Sequence, residues 1–81
     1  MNTYIILIII ITKDGKIMFP LICKNTDNVN KIQEIFFKKF PEYSENKGIF
    51  YKRNKSNLLK SDKSLEECNI KSNDIIIFEY V

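Results

Sequence analysis

The 81-residue chain has no histidine, alanine or tryptophan, and only two glycines, two prolines and two cysteines. Without histidine it lacks the side chain that most often moves protons near neutral pH, and with it the commonest metal ligand. Cys23 and Cys68 are far apart, with no second pair to complete a zinc set or a redox dithiol motif. Each reads as a small buried hydrophobe in a reducing, intracellular setting, cytoplasmic or nuclear. No glycine-rich phosphate loop and no convergent pair of carboxylates is visible. The neighbours of Cys68 on one side are Glu66 and Glu67, and acids raise a thiol pKa rather than lower it. An enzyme is therefore not expected, and no catalytic, cofactor or metal site is assigned.

Neither charge nor hydropathy points to a nucleic acid or a membrane. Thirteen basic and ten acidic residues leave a net charge of +3, with the lysines scattered along the chain. Nucleic-acid binding usually shows a basic stripe with stacking aromatics. The local cluster Lys52-Arg53-Asn54-Lys55 falls where a solvated surface loop is expected. The excess of isoleucine, lysine and asparagine looks like the composition of an AT-rich coding sequence. The apolar run from Ile5 to Ile11 has seven residues, against about 20 for a bilayer span. No Lys or Arg precedes it and no small-residue cleavage site follows. Isoleucine favours strands, so the run reads as a buried strand rather than a span or a leader.

The order of patterns sets the fold class. A strand over residues 4–12 meets Lys13-Asp14-Gly15-Lys16, where the glycine permits the positive φ of a tight hairpin. A second strand runs from about Ile17 to Lys24, and Pro20, which cannot donate to a ladder, puts it at an edge. Asn25-Thr26-Asp27 offers N-cap chemistry for a helix whose apolar face is Val29, Ile32, Ile35, Phe36 and Phe40, ending before Pro41. A polar connection, Glu42 to Lys47, leads to a third strand at Gly48 to Tyr51. A loop from Lys52 to Asn57 and a brief strand at Leu58-Leu59 follow. A short helical turn is then anchored by Leu65 and Ile70, and residues 74–81 form the closing strand.

A hairpin, a helix and a late β-branched strand in one short chain predict an α+β β-grasp domain over residues 1–81. Its sheet is mixed, with four to five strands and one helix packed on one face. Strand one should be central and paired in parallel with the closing strand. The predicted core is Ile6, Ile8, Ile10, Ile17, Phe19, Val29, Ile32, Phe36, Leu59, Leu65, Ile70, Ile76 and Phe78.

Strand one breaks one rule. A sheet covered on a single face should alternate apolar and polar residues, yet if Ile6, Ile8 and Ile10 face the helix, then Ile5, Leu7, Ile9 and Ile11 face away from it, beside Ile75 and Ile77. This predicts an outward apolar patch of roughly several hundred Å². The expected binding residues are Ile5, Leu7, Ile9, Ile11 and Ile77, with Phe50 presented by the third strand. The expected partner is a protein, and a homodimer is one form of this.

The chain resembles the ubiquitin superfamily over nearly its whole length. The resemblance is carried by Val29 and Lys31-Ile32-Gln33 in the helix, by Ile49-Phe50-Tyr51 and Leu59, and above all by Leu65-Glu66-Glu67-Cys68-Asn69-Ile70 before an apolar strand. Phe50-Tyr51-Lys52, Leu58-Leu59 and Lys63-Ser64-Leu65-Glu66-Glu67-Cys68 are similar to the ubiquitin-like adaptor subunit elongin B, with an insertion between Lys52 and Asn57. The resemblance implies a non-covalent interaction module or adaptor in a ubiquitin-ligase or proteasome-related complex. Glycine occurs only at 15 and 48 and the chain closes on Glu79-Tyr80-Val81, so conjugation through a Gly-Gly terminus is not expected of it as given. The ubiquitin recognition patch is only partly kept, with Lys13 or Asp14 at the turn and Phe50, Ile77 and Glu79 on the strands. A modifier whose tail lies outside this chain, or the ubiquitin-like module of a tubulin-folding cofactor, is the alternative reading.

Overall fold

The computed structural model describes residues 2–45, 47–54 and 58–80. β1 (Ile5–Thr12) and β2 (Met18–Lys24) form a hairpin, α1 (Val29–Lys39) and a 3₁₀ turn (Pro41–Ser44) follow, and β3 (Gly48–Lys52) and β4 (Asp74–Tyr80) complete the sheet. The strand order is β2-β1-β4-β3. β1 pairs in parallel with β4 and antiparallel with β2, so the first strand is central and Pro20 lies on an edge, as the sequence predicts. Asn46, Lys55, Ser56, Asn57 and Val81, which belong to the expected connection, loop and closing strand, lie outside the described residues.

Alternation decides the inner face. Ile6, Ile8 and Ile10 of β1 and Ile76 and Phe78 of β4 are buried, as are Val29, Ile32 and Phe36 of α1. Leu65 and Ile70 are buried beside them, while Ile17, Phe19 and Leu59 are only partly buried against this core. Three core members lie outside the predicted core set. Phe50 is buried on β3, Cys23 is buried as the last inward residue of β2, and Tyr43 is buried because Pro41 starts a 3₁₀ turn within the segment expected to be a polar connection.

Two expected local structures are replaced by long-range ones. The helix N-cap is Asn28, which makes no side-chain cap bond. Instead the amides of Val29 and Asn30 donate to the carbonyls of Lys63 (2.9 Å) and Ser61 (3.0 Å), so a distant loop satisfies the orphan donors. Asn25 is freed for another task. Its Oδ1 accepts from the Tyr4 amide at 2.8 Å and its Nδ2 donates to the Asn2 carbonyl at 3.0 Å. The expected Leu58-Leu59 strand is reduced to one bridge, Tyr51 with Leu58, plus the Leu59 amide donating to the Phe50 carbonyl. The chain turns away at once, because residues 61–63 must reach the helix N-terminus.

The segment from Ser64 to Ile70 is a one-turn unit closed at both ends. The Ser64 amide donates to Glu67 Oε1 at 2.9 Å and the Glu67 amide donates to Ser64 Oγ at 3.0 Å, a reciprocal capping box. At the other end Asn69 adopts φ of 61°. The amides of Asn69 and Ile70 donate to the carbonyls of Glu66 and Leu65, the pairing of a left-handed helix stop, with Leu65 and Ile70 buried together.

The hairpin turn is tied to the core by one carboxylate. Asp14 accepts from Thr12 Oγ1 (2.7 Å), the Lys16 amide (2.9 Å) and the Tyr43 hydroxyl (3.0 Å). The Thr12 bond, followed by that of Lys16, holds the Asp14 carboxyl below its ordinary value, whereas burial pushes the Tyr43 hydroxyl up and keeps it a donor. A carboxylate with a lowered folded-state pKa contributes stability that is complete above its unfolded pKa of about 3.9 and is lost as the pH falls through the folded value. Thermal melting should therefore fall on acidification below about pH 4. Asp14→Asn should lower stability at neutral pH and flatten that acid limb, as measured by melting temperature against pH. An unchanged limb would show that other carboxylates set the acid response.

Candidate functional site

The outer face of the sheet is apolar across all four strands. β1 contributes Ile5, Leu7, Ile9 and Ile11, and β4 contributes Ile75 and Ile77. In register, Met18, Ile11, Ile77 and Tyr51 form one row spanning β2, β1, β4 and β3. Pro20, Ile9 and Ile75 form a second row, and Ile22 with Leu7 a third. The outermost of these side chains are fully open: Ile5 is 72% exposed, Met18 71% and Ile22 71%.

Phe50 is a correction. Its side chain points to the helix side and is 4% exposed. The register pairs it with Phe78, and the two rings lie 4.9 Å apart between centroids. The residues that β3 presents outward are Ile49 and Tyr51, both half-buried. Ile5, Leu7, Ile9, Ile11 and Ile77 do lie together on one face, joined by Met18, Pro20, Ile22 and Ile49, which the sequence reading did not assign. The strict alternation of β2, with Phe19, Leu21 and Cys23 on the inner side, was the signal that could have placed Met18 and Ile22 outward.

Charge is confined to the ends of this face. Glu79 lies beyond Ile77 on β4, where its Oε1 accepts from the Tyr51 hydroxyl at 2.7 Å and meets Lys13 Nζ at 3.7 Å. That carboxylate bond raises the Tyr51 pKa. Lys24, paired with Ile5, closes the opposite end. Among the described residues the central strands carry no outward charge between them, and Arg53, whose amide donates to the Ile75 carbonyl at 2.9 Å, stands exposed at the β3 edge.

A second concavity lies at the β3 edge, lined by Lys52, Leu58, Leu59, Lys60, Lys63, Glu67, Cys68 and Asn69. Two of its charged groups are committed. Lys52 Nζ donates to the Asn69 carbonyl at 2.8 Å and meets Asp74 at 3.2 Å, while Glu67 is held by Ser64, whose bonds lower its pKa. Neither cysteine is set up as a nucleophile by its surroundings. Burial, with a contribution from Asp27, pushes the Cys23 thiol up to about 11, and Cys68 has no histidine to activate it. Among the described residues no group of three His, Cys, Asp or Glu side chains could hold a metal ion. No helix among the described residues is long and apolar enough to cross a membrane.

No family model matches the chain and no curated protein sequence matches it. Its likeness is to solved structures. A de novo design based on ubiquitin superposes with a TM-score of 0.77 at 17% identity, covering 94% of this chain and 88% of the design. A chain of the toluene 4-monooxygenase HD complex with the inhibitor 4-bromobenzoate superposes with a TM-score of 0.74 at 10% identity, covering 96% of this chain and all of that one. At such identities the likeness is one of architecture, and with the mixed sheet and single packed helix it establishes that the chain has a ubiquitin-like β-grasp fold.

Proposed function

We propose that this protein is a non-catalytic, non-covalent interaction module of the ubiquitin-like type, which docks a protein partner through the outer face of its sheet. The observation that carries this reading is the apolar face itself. Strands of eight, seven, five and seven residues at about 3.3 Å each, set about 4.8 Å apart, cover roughly 430 Å². Covering such an area is worth about 11 kcal/mol at 25 cal/mol per Å², against about 4–15 kcal/mol for the cost of association. A micromolar complex is within that margin. A face without central lysines suits neither a phosphate backbone nor an anionic lipid surface, so the partner is protein rather than nucleic acid or membrane.

The local similarity to elongin B favours an adaptor subunit in a ubiquitin-ligase or proteasome-related assembly, working inside the cell. The toluene 4-monooxygenase chain, covered whole, supports the broader point that a domain of this size and fold can be one chain of a larger complex. Capture from a lysate of the protein's own source tests the reading. Ile22→Glu places a carboxylate on the face without touching the core and should weaken the specific complex about 100-fold or more. Lys60→Glu, in the concavity at the β3 edge, should leave capture unchanged. The reverse pattern would move the docking site to that concavity.

A further inference from the structure

We propose that the occupant of the outer face is a second copy of this chain, the two faces closing into a two-layer sandwich about a two-fold axis. This rests on the outer face being the docking surface. Growth of the sheet at its edges is blocked. β2 carries Pro20, which has no amide to donate, and β3 has only five residues, with Leu58 bridged to Tyr51 along its free side. Association through the sheet is therefore left to its face.

The face meets what a two-fold contact requires. Such a contact brings one patch against itself, so the patch must be self-complementary. The described outward residues of β1 and β4 from Ile5 to Ile77 are all apolar, so the two central strands force no like charges together when two sheets stack about 10 Å apart. The outward charges are of both signs and lie at the rim: Lys24 beside Ile5, Glu79 with Lys13 beyond Ile77, and Arg53 next to Ile75 at the β3 edge. Stacking with the strands antiparallel brings Lys24 of one copy to the end that carries Glu79 of the other. A rim of mixed sign sets up no single-sign field to select a strongly acidic or basic partner.

The area suits a weak, reversible dimer. Two faces of about 430 Å² cover about 860 Å² together, above the roughly 800 Å² of incidental contacts and within the range of transient association. Each face is about a thirteenth of the 5466 Å² surface of the chain.

Sedimentation of the purified wild type, from micromolar to millimolar concentration, tests the proposal. The expected result is a monomer–dimer equilibrium with a micromolar dissociation constant. Ile22→Glu and Ile9→Glu should each weaken it about 100-fold or more with unchanged circular dichroism. The Ile22 site is 71% exposed and remains informative should the half-buried Ile9 variant misfold. Methyl contacts between copies, seen by isotope-filtered NMR, should join β1 and β4 residues of the outer face. A wild type that stays monomeric at millimolar concentration overturns the second-copy inference, as does a dimer that persists in both variants. If such a monomeric wild type captures an unlike protein and Ile22→Glu does not, the docking face stands and only the second copy falls. If that capture is indifferent to Ile22→Glu, both fall.

Discussion

Phe36→Ala should lower the unfolding free energy by about 3–5 kcal/mol, the cost of removing a large aromatic side chain from a closed core. Phe36 is fully buried on α1, and its ring reaches Phe19 of β2 (6.4 Å between centroids), Phe50 of β3 (5.8 Å) and Phe78 of β4 (5.6 Å). Phe40 and Tyr43 approach it at 5.4 and 5.9 Å. One side chain thus ties the helix to three of the four strands and to the 3₁₀ turn. A domain of this size has a total stability of roughly 4–12 kcal/mol at 0.05–0.15 kcal/mol per residue, so the variant should be near the limit of folding. Urea denaturation followed by circular dichroism measures this. A loss below about 1 kcal/mol would show that Phe36 is not the centre of the core.

Gly48→Ala should destabilise the protein by about 1–3 kcal/mol, the usual cost of overpacking. In a strand interior the opposite sign is the ordinary expectation, because alanine avoids a glycine entropy cost of about 0.5–1 kcal/mol. Here a Cβ would run into the Phe78 ring, with the Glu79 carbonyl also at 3.3 Å. Phe78 has nowhere to swing, since it is 1% exposed and ringed by Phe36, Phe37, Tyr43, Phe50 and Tyr80. The glycine is thus required by close approach of β3 to an aromatic ring, not by backbone conformation. A cycle of Gly48→Ala with Phe78→Leu should show a coupling of about 0.5–3 kcal/mol, the smaller side chain making room for the methyl group. Additive costs would mean that the ring is not what excludes the methyl.

The docking predictions depend on this core being independent of the outer face. Ile22 and Ile5 extend into solvent from the side opposite Phe36, so a charge there tests association while leaving the packing that holds the sheet intact. The acid dependence of Asp14 probes a third region, the hairpin turn and its tie to Tyr43.

What the amino-acid order determined by itself is local and periodic. The period of two along Ile5 to Thr12 grouped Ile6, Ile8 and Ile10 on one side of the strand, and the helical spacing placed Val29, Ile32 and Phe36 on one face, because each period is a property of a single element. Gly15 at φ of 78° and Pro20 on an edge strand were legible for the same reason, being conformational constraints on one residue. Ile49-Phe50-Tyr51 was different. Both faces of this sheet are apolar, so three consecutive apolar residues carry no mark of which side is in, and a one-residue slip exchanges them. Only the pairing of Phe50 with Phe78 settled it, and thereby moved Phe50 from the expected docking face into the core. Likewise the backbone carbonyls of Ser61 and Lys63, far along the chain, meet the first turn of α1 and displaced the cap expected of Asn25-Thr26-Asp27. Contacts between residues distant in sequence have no local signature, and here they decided the face of β3, the start of the helix and the burial of Tyr43.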